Sequence, residues 1–116
     1  MKIELNGIEY EIREVSQTEY KELRLKEDED TGCDPSDTKN GIYFGASHHY
    51  TSKIYLDATL PKDRKRKTLL HELTHCYIAE YITHEDKTFD GEMVADIVAN
   101  SFDIINNIVK KYFKEK

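Results

Sequence analysis

His71-Glu72-Leu73-Thr74-His75 constrains this chain more than any other stretch of its sequence. It is an H-E-x-x-H pattern set among Leu69, Leu70, Cys76 and Tyr77, apolar positions with helical spacing. Side chains four apart share one helix face, so both imidazoles can reach a single metal ion. Glu72, one residue round from the first imidazole, is placed to exchange a proton with a metal-bound water. A fold that carries this pattern must supply a long helix, a core to hold one side of it, and an open cleft on the other.

Two imidazoles leave a zinc site incomplete, because catalytic zinc usually has three protein ligands and a water. The extended three-histidine pattern is excluded, since its Gly and third His positions hold Ile78 and Tyr81. The other common solution is a carboxylate from a following helix. Asp90 is a good N-cap for such a helix, with Phe89 and Val94 as a hydrophobic staple. The apolar stripe expected for it is Val94, Ile97, Val98, Phe102, Ile105, Ile108, Val109 and Tyr112. Two long helices joined by a short loop pack antiparallel. The first helix runs about 9 Å beyond His75, and the loop can climb back over that distance. Glu92 then faces His75. Asp96, about 6 Å further along, matches His71 and can accept its free ring N–H. Ala95 and Ala99 allow a close approach of the two helices. His84, Asp86, Asp90 and the His48-His49 pair remain as other candidate ligands.

The rest of the chain reads as a small α+β domain. Residues 3–5 and 8–15 form a hairpin about Asn6-Gly7, with Ile8, Tyr10 and Ile12 on its inner face. Ser16-Gln17-Thr18-Glu19 is a capping box, stapled by Val15 and Tyr20, for a helix over about 17–27. The acidic stretch 28–41 reads as a loop whose spacing does not match a calcium loop. Residues 42–46 and 53–57 read as strands connected through 47–52. Pro61 opens the H-E-x-x-H helix, which extends to about Tyr81. A sheet of three to four strands packs on that helix, and the 90–114 helix closes the core. The tail 114–116 is expected to fray. The cation run Lys62-Asp63-Arg64-Lys65-Arg66-Lys67 reads first as a solvated face, although cations are unfavourable at a helix N-terminus.

With 116 residues the chain is expected to be one domain spanning 1–116. A net charge of −6 argues against direct nucleic-acid binding. No apolar run approaches a membrane span, and residues 1–7 have no apolar export core. The two cysteines, Cys33 and Cys76, make no disulfide framework, so a reducing cytoplasm is the expected setting. Cys76 reads as a small core residue.

Leu69-Leu70-His71-Glu72-Leu73-Thr74-His75 followed by Glu92-x-x-Ala95-Asp96 resembles the small gluzincins. It is most similar to the ImmA/IrrE metallo-endopeptidases of phages, integrative elements and bacteria, and the strand 54–57 just before the helix adds to the likeness. The resemblance covers roughly residues 42–102. It implies Zn2+ held by His71, His75 and Glu92, with Glu72 as catalytic acid/base. It also implies a protein or peptide substrate, a helix-turn-helix repressor being the type that larger members carry or cleave. The alternative is a non-catalytic zincin-fold module of a phage or mobile element that holds a partner. For a peptidase, the substrate is expected to pair along an edge strand formed by residues 53–57. Tyr50, Tyr55, Tyr77 and Tyr81 are available as transition-state donors.

Overall fold

A computed structural model describes residues 1–31, 44–49, 51–82 and 90–115. Cys33, Tyr50, His84, Asp86, Phe89 and residues 32–41 of the loop expected over 28–41 lie outside the described residues. The fold is α+β, as the sequence implies: a four-stranded mixed sheet with helices on both faces.

Strands β1 (Lys2–Leu5) and β2 (Ile8–Val15) form the expected hairpin. Asn6 and Gly7 both have positive φ, 49° and 86°, as a two-residue turn of matching twist requires. Tyr10 and Ile12 are buried, but Ile8 is 41% exposed, so the inner face begins one pair later than its alternation indicated. Ser16 Oγ accepts from the Glu19 N–H at 3.1 Å and caps helix α1 (Gln17–Thr31). Val15 and Tyr20 pack together as the staple. The helix continues four residues past its expected end, into the stretch read as loop, because the first Gly or Pro comes only at Gly32.

Strand β3 is Gly45–His48 and β4 is Lys53–Asp57. Ser47 and His48 therefore belong to a strand rather than to the connection expected there, drawn in by antiparallel pairing that runs from Gly45↔Leu56 to His48↔Lys53. β4 also pairs with β2 in parallel, from Glu11↔Lys53 to Val15↔Asp57, which gives the order β1-β2-β4-β3. Alternation along β4 divides the core. Ile54 and Leu56 join Ile3, Leu5, Tyr10 and Ile12 on one face, and Tyr55 faces Val15 and Tyr20 under α1 on the other.

Helix α2 (Lys62–Tyr77) lies on the first face and continues through a π-helical turn, Ile78–Ile82. Pro61 stands at its N-cap. Leu69, Leu73 and Cys76 are fully buried, and each leucine is worth about 1.5–3 kcal/mol of burial. The π turn is fixed to the hairpin: Asn6 N–H donates to Tyr81 Oη at 3.0 Å, and Asn6 Nδ2 donates to the Glu80 carbonyl at 2.9 Å.

Helix α3 (Gly91–Phe113) starts on Asp90, whose Oδ1 accepts from the Met93 N–H at 2.8 Å. It runs antiparallel to α2, since Arg66 near the start of α2 pairs with Glu115 at 3.1 Å. Its buried line is Ile97, Ser101, Ile105 and Val109. Of the expected stripe, Val94, Val98 and Phe102 are instead 48%, 58% and 61% exposed. The apolar arc of α3 is wider than α2 and the sheet together can cover. The expected fraying is also corrected at Glu115, whose N–H returns to the Lys110 carbonyl at 2.8 Å after Lys114 turns left-handed (φ 55°).

Candidate metal centre

Burial of Leu69, Leu73 and Cys76 fixes the rotation of α2, and this rotation decides where the histidines point. His71 and His75 lie on the outer face and are exposed. Their Nε2 atoms face each other at 3.1 Å, with ring centroids 4.7 Å apart and planes at 77°. Two nitrogens at about 2.0–2.1 Å from a tetrahedral zinc stand roughly 3.3 Å apart, so this pair fits two vertices of such a site.

Glu72 projects to the side of α2 that meets β3 and is only 7% exposed. Gly45 makes this closeness possible: a Cβ there would stand 2.5 Å from Thr68 Cγ2, 3.2 Å from the Tyr55 carbonyl oxygen and 3.3 Å from Glu72 Cγ. The close approach leaves a cavity of about 350 Å³ beside His71 and Glu72, walled by Phe44 and Thr68 and by the cations Arg64 and Lys67. β3, an edge strand among the described residues, borders it. The edge strand expected at 53–57 is thus corrected. β4 is paired on both sides, and β3, next to the site, is unpaired on one side among the described residues.

A polar chain under the C-terminal part of α2 has no signal in the sequence. Tyr10 Oη donates to Glu80 Oε1 at 2.5 Å and lies 3.3 Å from His49 Nδ1. Burial, together with the acceptor Glu80, pushes the Tyr10 hydroxyl far above its ordinary range. Partial desolvation holds the His49 imidazole below its usual value; Glu80 opposes this and His75 adds to it. Cys76, fully buried, is the core residue expected, its thiol pushed up to about 12 by burial and then by Glu72 and Glu80. Tyr10 and Glu80 are 70 residues apart, so only the assembled fold brings them together. His48 is structural, with Nε2 3.0 Å from Tyr20 Oη and its ring set edge-on to Tyr20 and Tyr55. His48 and His49 point apart, as neighbours at a strand end should.

Glu92 and Asp96 are exposed on the first turns of α3. Among the described residues no third His, Cys, Asp or Glu joins His71 and His75 in a cluster that could hold a metal. Asp90 is used as the N-cap. Of the tyrosines, Tyr55 faces α1 on the far side of the sheet, and Tyr77 and Tyr81 stack on one another at 4.6 Å.

Among the described residues no helix is long and apolar enough to cross a membrane. Neither curated proteins nor solved structures include a significant match to the chain. The model of the IrrE N-terminal-like domain, a metallopeptidase family, matches residues 29–111, well over half of the sequence and all of α2 with its H-E-x-x-H pattern. The chain therefore belongs to the IrrE N-terminal-like peptidase family.

Proposed function

We propose that this protein is a zinc-dependent endopeptidase, with His71, His75 and Glu92 as metal ligands, Glu72 as acid/base and Asp96 as the acceptor for the free ring N–H of His71. The observation that carries this reading is the pair of exposed imidazole nitrogens 3.1 Å apart, with a buried carboxylate one residue away beside an open cavity. Bound zinc supplies a polarised carbonyl and a water acidic enough to ionise near neutral pH. Glu72, on the β3 side, holds the water's proton and returns it to the leaving amine. β3 offers its free backbone edge to an extended substrate, and that pairing orients the peptide without reading its sequence. A regulatory protein of the repressor type is the substrate class that the family resemblance supports. The cytoplasm is the compartment in which such a substrate and the free thiol of Cys76 agree.

Glu72→Gln tests the chemistry. It keeps size and hydrogen bonding but removes the base. Zinc content and the thermal midpoint should stay as in the parent, while peptide cleavage falls by about 10²–10⁴-fold. Cleavage at the parental rate would remove Glu72 from the mechanism. A second reading is favoured by Glu92 and Asp96 being exposed, with no third ligand clustered on the imidazoles among the described residues. In that reading the domain binds a partner without cleaving it. Glu92→Ala tests the ligand assignment by direct zinc titration, because removal of a third ligand weakens zinc binding, and turnover of peptide by the zinc-loaded parent separates the two readings.

A further inference from the structure

The cation run at the start of α2 is unfavourable for the helix and is only half explained by the fold. Lys65 reaches Glu14 at 2.5 Å, and Arg66 reaches Glu115 at 3.1 Å. Both therefore tie α2 to neighbouring elements. Arg64 and Lys67 do not. Both are exposed, and among the described residues neither forms an ion pair, although acidic residues outnumber basic ones 23 to 17. Both line the cavity that contains His71 and Glu72. Arg64, Lys67 and His71 follow helical spacing of three and four on one face. Lys67 and Arg64 stand about 6 and 10 Å from His71 along the helix axis. Two or three residues of extended peptide span those distances. Phe44, 53% exposed, adds an apolar wall opposite the cations.

We propose that Arg64 and Lys67 form a subsite for an acidic side chain of the bound polypeptide, two or three residues from the bond held at His71 and Glu72. This names the substrate class of the proposed peptidase site and rests on that reading. The subsite works against the molecule's overall field. A net charge of −6 repels acidic peptides in general, so a preference for them has to come from a local pair of cations.

The test uses the zinc-loaded full chain carrying Glu72→Gln, which leaves peptides intact. Two fluorescein-labelled octapeptides of one apolar sequence, differing only in a Glu-Glu or a Lys-Lys pair, are titrated by anisotropy at low salt. The Glu peptide should bind about tenfold more tightly, as expected for two partly exposed ion pairs. Adding Arg64→Gln and Lys67→Gln should remove the difference, and Arg64→Glu with Lys67→Glu should reverse it. A Glu peptide that binds no more tightly than the Lys peptide overturns the subsite, and that comparison needs no further variant to fold. Digestion of a mixed peptide library by the parent then separates the two readings. An acidic preference in binding without any cleavage leaves the subsite standing and removes the peptidase. Cleavage without an acidic preference in binding does the reverse.

Discussion

The two faces of α2 contrast sharply within a single turn. Leu73 is fully buried against the sheet and α3, whereas His75, two residues on, is exposed. The inner face determines whether the helix exists, and the outer face determines what it can do. Chemistry placed on an exposed face adds little to stability, so it can be removed without unfolding the chain. Leu73→Ala should therefore have the largest effect on folding, about 2–5 kcal/mol by denaturant titration, from lost burial plus a cavity. His75→Ala, measured in chelator, should change stability by less than about 0.5 kcal/mol. It should nevertheless abolish stoichiometric zinc binding in dialysed protein. A large loss of metal-free stability in His75→Ala would mean that the two faces are not separable.

The flank between the faces, where Glu72 meets β3, joins the two functions. Gly45→Ala sharpens this point. Its Cβ has to displace Thr68 or lift β3 from α2, because the Tyr55 carbonyl blocks the other side. The expected cost is about 1–3 kcal/mol. Because the same contact forms the wall of the cleft, activity on any substrate should fall beyond what the loss of folded protein explains. Thr68→Ser in the same background removes Cγ2, the closest atom, and should restore part of both.

This division between local and assembled features also explains what could be read from the sequence. The H-E-x-x-H helix, the Asn6-Gly7 turn, the Ser16 and Asp90 caps and the order of the elements all depend on residues within a few positions of each other. They stand where the sequence indicated. The parts that were missed depend on tertiary register. Periodicity cannot tell which apolar residues of α3 are buried, and Val94, Val98 and Phe102 are exposed. Strand 53–57 was read as an edge because neither the parallel pairing to β2 nor the antiparallel pairing to β3 leaves a local mark. The partners Glu14 and Glu115 of the cation run lie 51 and 49 residues away in sequence. A third ligand on α3 is a question of the same kind. Two histidines four residues apart are brought together by one helix, whereas the position of Glu92 relative to them depends on how α3 passes α2.

Asp57 shows how the fold holds the segment that leads into α2. It is 4% exposed and accepts from the Thr59 N–H at 2.9 Å, Thr59 Oγ1 at 2.7 Å and Gln17 Nε2 at 2.7 Å. Burial alone would raise its carboxyl, but these hydrogen bonds outweigh it and hold the group below the usual carboxylate range. Asp57→Asn should cost about 1–3 kcal/mol at neutral pH, because an amide presents a donor to donors. A depressed folded-state pKa contributes stability that is fully present above the unfolded value of about 3.9 and is lost as pH falls through the folded one. The gap between parent and variant should therefore stay constant from pH 7 to 5 and narrow below about pH 4. A gap that widens with acid would show that Asp57 is not the ionised acceptor.

A small, salt-dependent effect is expected where the inner and outer faces meet at the start of α2. Arg66 places its guanidinium on Glu115, both partly exposed, and its stem lines a groove with Leu70 and Ile105. The ion pair is worth about 0–1 kcal/mol and is screened by salt, whereas the packed stem is not. Arg66→Ala loses both, and Arg66→Met loses only the charge. In low salt both variants should be destabilised relative to the parent. In 1 M salt Arg66→Met should approach parental stability, and Arg66→Ala should keep a residual loss. Equal losses at both salt concentrations would assign Arg66 to the inner face, so that the boundary between stability and chemistry on α2 would lie beyond it, at Lys67.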